Sequence, residues 1–466
     1  MLEKAIICFL VYLCVFATGF LQADNKAVRF ESQVALGKEI QTYLAPALSE
    51  GTGETCTVGL EIAEPTGTLT LRDALSLALV HNPELKAFSW EIRSREARQL
   101  QEGLWPNPEL EIEIEEAGGP GARSGFDAAE STIQLSQLIE LGNKSQKRTK
   151  AASFDKELAG WDFESKRLDI FTDVTKAFID VLAGQENLKL NEELLRLSKE
   201  LVDTIAKRVE AGKDSPLEEI KAKVAFSNIQ IGYKQAVQDL TAARRQLVSF
   251  WAGNKPTFEG AAGRMDALVT VPSIDTLEQM LEFNPEVSRW DPQIDKEKAA
   301  LELEEAKTIP DITISAGLQR FNETNDNAVV FGFSIPLPVS DRNQGGKLEA
   351  IYNLAKAREE ERAAILKVRS ELNKSYQKLS NAYIQATELE EGVLQGAEEV
   401  FRASKRAYTE GKLDYLHLLD SQRTWFEAKS AYIEALSSYN LAKTDVERLV
   451  GHKIEDIKAT KNKEKK

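Results

Sequence analysis

The sequence predicts a mainly α-helical protein that carries a small membrane β-barrel. Three observations predict it. The chain contains two copies of one unit. Each copy holds a long proline-free stretch with an apolar residue every seven positions. Each copy also holds two short segments in which aliphatic and polar residues alternate, and nothing after the first two dozen residues is apolar enough for a membrane helix.

The chain has 466 residues, 29% charged and 42% hydrophobic, with a formal net charge of −15. That balance argues against nucleic acid as a partner. It suits cationic or neutral cargo, and it equally suits plain solubility. Residues 1–23 read as a signal peptide: Lys4, an apolar run from Ala5 to about Leu21, and "LQAD" with a cut after Ala23. Leu21 and Glu3 fit that reading poorly, so an uncleaved anchor is the alternative. Neither Cys8 nor Cys14 sits in a lipidation signal, and only Cys56 remains in the mature chain, so no disulfide is expected within it. Residues 24–67 form an N-terminal extension with no readable pattern.

The repeat is visible in short words. "HNPELKAF" at 81–88 returns as "FNPEVSRW" at 283–290, and "VEAGKDSPLE" at 209–218 returns as "YTEGKLDYLH" at 408–417. "FWAG" ending at Gly253 matches "RLVG" ending at Gly451. The units are residues 68–253 and 273–451, joined by a linker at 254–272 and followed by a basic tail at 452–466, expected to be disordered.

Each unit opens with a short amphipathic helix, near 69–80 or 274–282. A second follows "NPE", near 84–104 or 286–307. Two alternating segments come next, at 110–115 and 132–138 in the first unit and at 312–318 and 329–335 in the second. "AGGPGARSG" and "RFNETNDN" between them read as hairpin loops. In "ELEIEIEE", Leu110, Ile112 and Ile114 fall on one face and Glu111, Glu113 and Glu115 on the other.

After each hairpin the prolines stop. Residues 143 to about 210 would make roughly 100 Å of helix at about 1.5 Å per residue. Val174, Val181, Leu188, Leu195, Val202 and Val209 recur every seven residues, and adding 198 gives Leu372, Leu379, Ala386, Val393, Val400 and Ala407. Such a stripe is a coiled-coil seam. Small residues three positions on, among them Ala177, Gly184, Ala382 and Gly396, allow close approach.

An exported chain without a membrane helix can cross a bilayer only as a closed barrel. Four strands cannot close, but three chains would supply twelve. The expected assembly is therefore a trimer with aliphatic side chains toward lipid and glutamates toward a water-filled lumen. The alternative is a small soluble sheet capping a helical bundle.

The residues resemble the TolC-type outer-membrane efflux factors from about Thr68 to Gly451. "NPELKAFSWEIRSREARQLQEGLWPNPELEIEIEE", "IQLSQLIELGNKSQKR" and "IPLPVSDRNQGG" look most like the cobalt/zinc/cadmium branch, and "YTEGKLDYLHLLDSQRTWFEAKSAY" is similar to the family's C-terminal helix–turn–helix. The resemblance implies a homotrimer in the outer membrane of a Gram-negative bacterium, with four strands per chain in a twelve-strand barrel. It implies a long helical barrel in the periplasm. It also implies two partners, a periplasmic adaptor and a proton-driven inner-membrane pump. Such a duct is passive, needs no cofactor, and would export heavy-metal cations or, alternatively, small organic compounds.

By motif position, the resemblance places the adaptor-docking tip turns at Gly212, Lys213, Gly411 and Lys412. It places periplasmic gate candidates at Tyr408, Asp420 and Glu218. At His417 and Leu413 the family's acid and basic link are missing, so the closing bonds must differ. Asp420 reads equally as a solvated helix residue and Tyr408 as a packed seam residue. His417 could respond to pH in a narrow acidic mouth, or sit as an ordinary surface histidine.

Other chemistry is poorly supported. His81, His417 and His452 form no HxxH or HExxH pair and there is no CxxC, so no metal site is expected. There is no GxSxG, and Gly345 and Gly346 are followed by no GK[ST], so they read as a strand-to-helix turn. An enzyme is not expected. The rival class is a soluble periplasmic coiled-coil interaction or adaptor protein.

Overall fold

The computed structural model describes residues 36, 37, 39–47 and 66–457. The expected signal peptide, Cys56 and residues 458–466 lie outside them. In chain order the elements are β1 (Thr68–Thr70), α1 (Leu71–His81), α2 (Pro83–Glu102), β2 (Glu109–Glu115), β3 (Glu130–Ile139), α3 (Lys144–Glu210) and α4 (Pro216–Ser249). Then follow β4 (Gly260–Ala262), α5 (Ile274–Glu278), α6 (Pro285–Ser288), α7 (Trp290–Lys307), β5 (Ile312–Phe321) and β6 (Asp326–Ser334). The last are α8 (Gln344–Glu388), a π-helical turn at Leu389–Leu394, α9 (Gln395–Thr409) and α10 (Tyr415–Val450).

The repeated "NPE" does the same work twice. Asn82 accepts from the backbone N–H of Glu84 and Leu85 and caps α2, while proline follows at the first helical position. Its amide donates to the Phe250 carbonyl at 2.8 Å. Asn284 likewise accepts from the Glu286 N–H and donates to the Leu449 carbonyl at 2.8 Å. One buried side chain thus starts a short helix and ties it to the end of the last helix of its own repeat. Asn284→Ala should lower stability by about 2 kcal/mol, from the lost cap and the stranded carbonyl. Asn284→Ser keeps a capping acceptor without burying a charge and should cost about half as much. Thermal unfolding of the detergent-solubilised protein reads both, and equal midpoints for the two variants would refute the bridging role.

The four alternating segments form one antiparallel sheet in the order β2–β3–β5–β6. The register aligns Ile112 with Ile133, Ile133 with Leu318, and Leu318 with Val329. The next row is Leu110, Leu135, Ala316 and Phe331. One face is therefore aliphatic across all four strands. The other carries Glu111 beside Gln134, bonded at 2.6 Å, and Glu113 beside Thr132 and Gln319. Among the described residues no core covers the aliphatic face: Ile112 is 62% exposed and Phe331 79%. The hairpin strands run a few residues longer than the alternation suggested. β2 and β6 are open edges, each paired on one side only.

Among the described residues no helix is long and apolar enough to cross a membrane. The 67-residue α3 is continuous. It packs against α1, α2, α4, α7 and α10 along its length, which explains how a helix of that length stays folded. Among the described residues, buried apolar side chains gather in three clusters along these helices.

The seven-residue stripe of the second repeat holds only in part. Leu372, Leu379 and Ala386 are fully buried, but Val393 and Val400 are 49% and 55% exposed. The π turn takes up one extra residue. Below it Leu394, Phe401 and Tyr408 carry the seam within the chain, with Phe401 and Tyr408 buried. The repeat spacing bears the same mark: it is 198 from Val174 to Leu372 but 199 from Gly212 to Gly411.

Two peripheral segments are packed. Leu36 donates its N–H to the Gly451 carbonyl and accepts from Arg167, and Ala45 is held between Ser89 and Arg93. The extension therefore touches both repeats. The expectation of disorder from residue 452 onward fails at its start. Ile454 is 1% exposed and Lys443 pairs with Glu455, because apolar side chains at 454 and 457 close the second repeat's core. The linker also packs: Phe258 and Met265 are buried, and β4 pairs in parallel with β1.

Candidate functional site: the two helical tips

The long helices turn twice, at Gly212 and Gly411. Both glycines are left-handed, with φ of 70° and 71°, and neither would meet another atom if it gained a Cβ, so conformation alone selects glycine. The turns share one hydrogen-bond pattern. Lys213 donates to the Arg208 carbonyl at 2.8 Å, and Lys412 to the Ala407 carbonyl at 2.9 Å. Ser215 caps α4, with Pro216 at its first position, and Asp414 caps α10 by accepting from His417 N–H at 3.0 Å.

A polar cluster joins the tips. Asp214 accepts two parallel bonds from Arg208, at 2.7 and 2.9 Å, and a third from the Tyr408 hydroxyl at 3.1 Å. The Arg208 guanidinium lies 4.9 Å from the centre of the Tyr408 ring. Tyr408 is 2% exposed. Arg208 holds the Asp214 carboxyl below the usual aspartate range, with a smaller contribution from Tyr408. The Tyr408 hydroxyl is pushed strongly up, first by burial and then by the Asp214 carboxylate. Above the cluster Trp425 stacks on Phe401 at 4.8 Å, and Lys429 lies 4.0 Å over the indole while pairing with Glu193 at 2.8 Å.

The structure brings some sequence-predicted residues together and leaves others apart. Tyr408 is a packed seam residue that also donates a polar bond. Glu218 is half-buried beside the cluster, and its charge helps push up Tyr408 and Tyr415. Asp420 is exposed on α10. His417 is exposed and its Nδ1 lies 2.6 Å from Asp414. Lys213 and Lys412 are exposed at the turns. Glu111, Glu113 and Glu115 lie on the polar sheet face, in a separate part of the fold. Sequence reasoning missed Arg208 and Asp214. Their equivalents in the second repeat are Ala407 and Leu413, so a charge pair present in one copy and wholly absent from the other was the available signal. Among the described residues no group of three or more His, Cys, Asp or Glu could hold a metal ion.

A sheet with one bare aliphatic face, set on two pairs of very long antiparallel helices, defines the class of outer-membrane channels built from helical ducts. Residues 74–253 and 276–452 match the family model "Outer membrane efflux protein". The chain belongs to that family. It is 34% identical over 411 residues to the cobalt-zinc-cadmium resistance protein CzcC of Cupriavidus metallidurans, which covers 88% of this chain and 97% of that one. The nickel-cobalt-cadmium resistance protein NccC of Alcaligenes xylosoxydans xylosoxydans is 24% identical, covering 65% of this chain and 67% of its own. The outer membrane channel CmeC of Campylobacter jejuni has the same fold, with a TM-score of 0.67 at 15% identity over 85% of this chain and 89% of that one. CusC superposes with a TM-score of 0.69 at 15% identity over 89% of this chain and 99% of that one. The resemblance read from the sequence is thus correct. The protein resides in the outer membrane with its helical part in the periplasm, and its family is one of efflux ducts rather than enzymes.

Proposed function

We propose that three copies of this chain form a passive duct that carries heavy-metal cations out of the cell. The observation that carries the cargo is the 34% identity to a cobalt-zinc-cadmium resistance protein over nearly its whole length. The two open sheet edges support the assembly, since joining β6 of one copy to β2 of the next would close twelve strands. A duct moves cargo only down a gradient, so an inner-membrane pump and a periplasmic adaptor must supply drive and coupling. The tip turns at Gly212–Lys213 and Gly411–Lys412 are the proposed adaptor contacts, and Glu111, Glu113 and Glu115 line the proposed lumen.

The test is metal retention. A strain deleted for this chain should hold more cobalt, zinc and cadmium after loading, and the restored chain should return them to the parental level. Unchanged metal with raised sensitivity to small organic compounds would instead favour the same duct with organic cargo.

The mouth is assigned to Tyr408, Asp420, Glu218 and His417. Three exposed Asp420 side chains around one axis would attract cations through their shared field. Asp420→Asn should therefore lower cation preference in single-channel recordings, with no loss of three-copy particles. Unchanged selectivity would place the aperture elsewhere.

A further inference from the structure

The strands and hairpin loops of the sheet, residues 109–139 and 312–335, contain two cations, Arg123 and Arg320. Arg123 pairs with Glu116 at 2.7 Å. Arg320 stands on β5, where the register sets it between Ser131 of β3 and Asn327 of β6. Ile114 of β2 completes that row through its pairing with Ser131. Directly paired residues point to one side of a sheet. This row lies two residues beyond that of Ile112, Ile133, Leu318 and Val329, so Arg320 is on the aliphatic face. It is the one charged strand residue there. The acids of the four strands, Glu109 to Glu115, Glu130 and Asp326, all fall in the polar rows.

The height of the row suits a lipid headgroup. Along β6 and its continuation the aliphatic face is Val329, Phe331, Phe333 and Ile335, centred on position 332, five residues from Asn327. At about 3.4 Å per residue on a strand tilted by about 40°, the Arg320 row stands about 13 Å from that centre. The apolar band of an outer-membrane barrel is about 25 Å tall, so the row lies at its edge. A guanidinium is tolerated at that depth and costly at the midplane. The turn between β5 and β6 follows Arg320 at the end of the sheet away from the helices, and the helices are periplasmic, so this edge is the outer one.

The guanidinium is held in place but not neutralised. Nη1 donates to the Asn325 carbonyl at 3.5 Å and to Asn327 Oδ1 at 3.3 Å, and Nη2 donates to Asn325 Oδ1. All three acceptors are uncharged amide oxygens. Among the described residues of the two hairpins the one ion pair is that of Arg123 with Glu116, so neither Glu323 nor Asp326 pairs with Arg320. Of the five guanidinium donors, Nε–H and one N–H of Nη2 are left without an acceptor among the described residues. Those two form a planar fork that fits two oxygens of one phosphate. Ser131 and Asn327 add a hydroxyl and an amide at the same height.

We propose that Arg320 is a headgroup site: its free fork binds a phosphate of the phosphorylated glycolipid that builds the outer leaflet of such a membrane. The acyl chains of the same lipid lie on the aliphatic rows below, beginning with Ile133, Leu318 and Val329. Free phosphate would gain the fork but none of the aliphatic surface, so the lipid is the occupant that both halves of the site fit. The two asparagines aim the guanidinium, and the absence of a carboxylate partner leaves its charge for the lipid. The inference rests on the lipid-facing reading of this face and adds a ligand and the residue that holds it.

Native mass spectrometry of the detergent-solubilised protein tests it, with two probes: lipid A carrying both phosphates, and lipid A stripped of them. The unmodified protein should bind the phosphorylated form about tenfold more tightly. Arg320→Gln should remove that preference. Arg320→Lys should keep part of it, because an ammonium carries charge without the fork. Arg123→Gln should leave it whole, because Glu116 already neutralises that residue. Excess inorganic phosphate should leave the lipid bound. Equal binding of the two lipids by the unmodified protein would overturn the site, whether or not the variants fold. A preference that survives in Arg320→Gln would also overturn it and leave Arg320 as a tie for its own hairpin turn. Full displacement by inorganic phosphate would overturn the lipid in favour of a free anion. Equal binding of the two lipids while Ile112→Arg still blocks membrane assembly removes the site and keeps the lipid-facing sheet, whereas a harmless Ile112→Arg removes both.

Discussion

Ile112→Arg should stop most of the protein from reaching its assembled membrane state. Ile112 sits mid-strand in a row with Ile133, Leu318 and Val329, on a face that none of the other described residues covers. If that face meets lipid, a guanidinium there costs about 2–4 kcal/mol near the bilayer midplane. Three copies would each bear that cost. Phe331→Arg, 79% exposed on the edge strand β6, should behave alike. Glu113→Gln alters the neighbouring residue on the opposite face and should be tolerated, because a side chain facing the proposed lumen would keep its water. Heat-modifiable trimer in outer-membrane fractions is the measurement. Equal damage from Ile112→Arg and Glu113→Gln would mean that the faces are wrongly assigned. No damage from either arginine would mean that lipid does not meet this face.

Much of this was legible because it depends on local chemistry repeated twice. Alternation in "ELEIEIE" sets side-chain direction within a strand, and the register then aligned four such faces without further information. The asparagine of each "NPE" acts on its own helix start, so the same word gives the same cap in both copies. What could not be read depends on partners distant in the chain. A strict seven-residue count extends to Val393 and Val400, yet a π turn moves the seam by one position, and the reward for that move is the packing of Phe401 and Tyr408 against α10. Arg208 and Asp214 flank one turn, but their third partner, Tyr408, lies 194 residues away from Asp214. The tail misled for a related reason. Its lysines dominate composition, whereas Ile454 and Ile457 are decided by a core that other segments build.

The cluster at the tips makes two mechanisms separable. Leu413 carries no charge, and the cation of this cluster is Arg208, bonded to Asp214 within the same chain.

Asp214→Ala should loosen both tips together. It leaves the Tyr408 hydroxyl buried without its acceptor and strands a guanidinium that is 22% exposed. Removing one member of a fully buried pair costs about 3–5 kcal/mol, and the partial exposure of Arg208 lowers the expectation to about 2–3 kcal/mol. Tyr408→Phe removes one bond to a charged acceptor and keeps the ring, so it should cost about 1.5 kcal/mol. The two losses should fall short of additive in the double variant, since both break one cluster. Hydrogen exchange at the amides of 208–218 and 405–415 reads the loosening, and single-channel open fraction reads its effect on the mouth. The pH dependence separates this cluster from a histidine switch. Asp214 is held below its ordinary value, so its contribution is complete above the usual aspartate pKa of about 3.9 and is lost only as pH falls through the lowered one. Tip opening, taken as the exchange rate divided by the intrinsic amide rate at each pH, and open fraction should therefore stay flat between pH 7 and 5. Both should rise only in stronger acid, and the rise should vanish in Asp214→Ala. A midpoint between pH 5 and 7 that survives Asp214→Ala and disappears in His417→Asn would assign the control of the mouth to His417 and Asp414 instead.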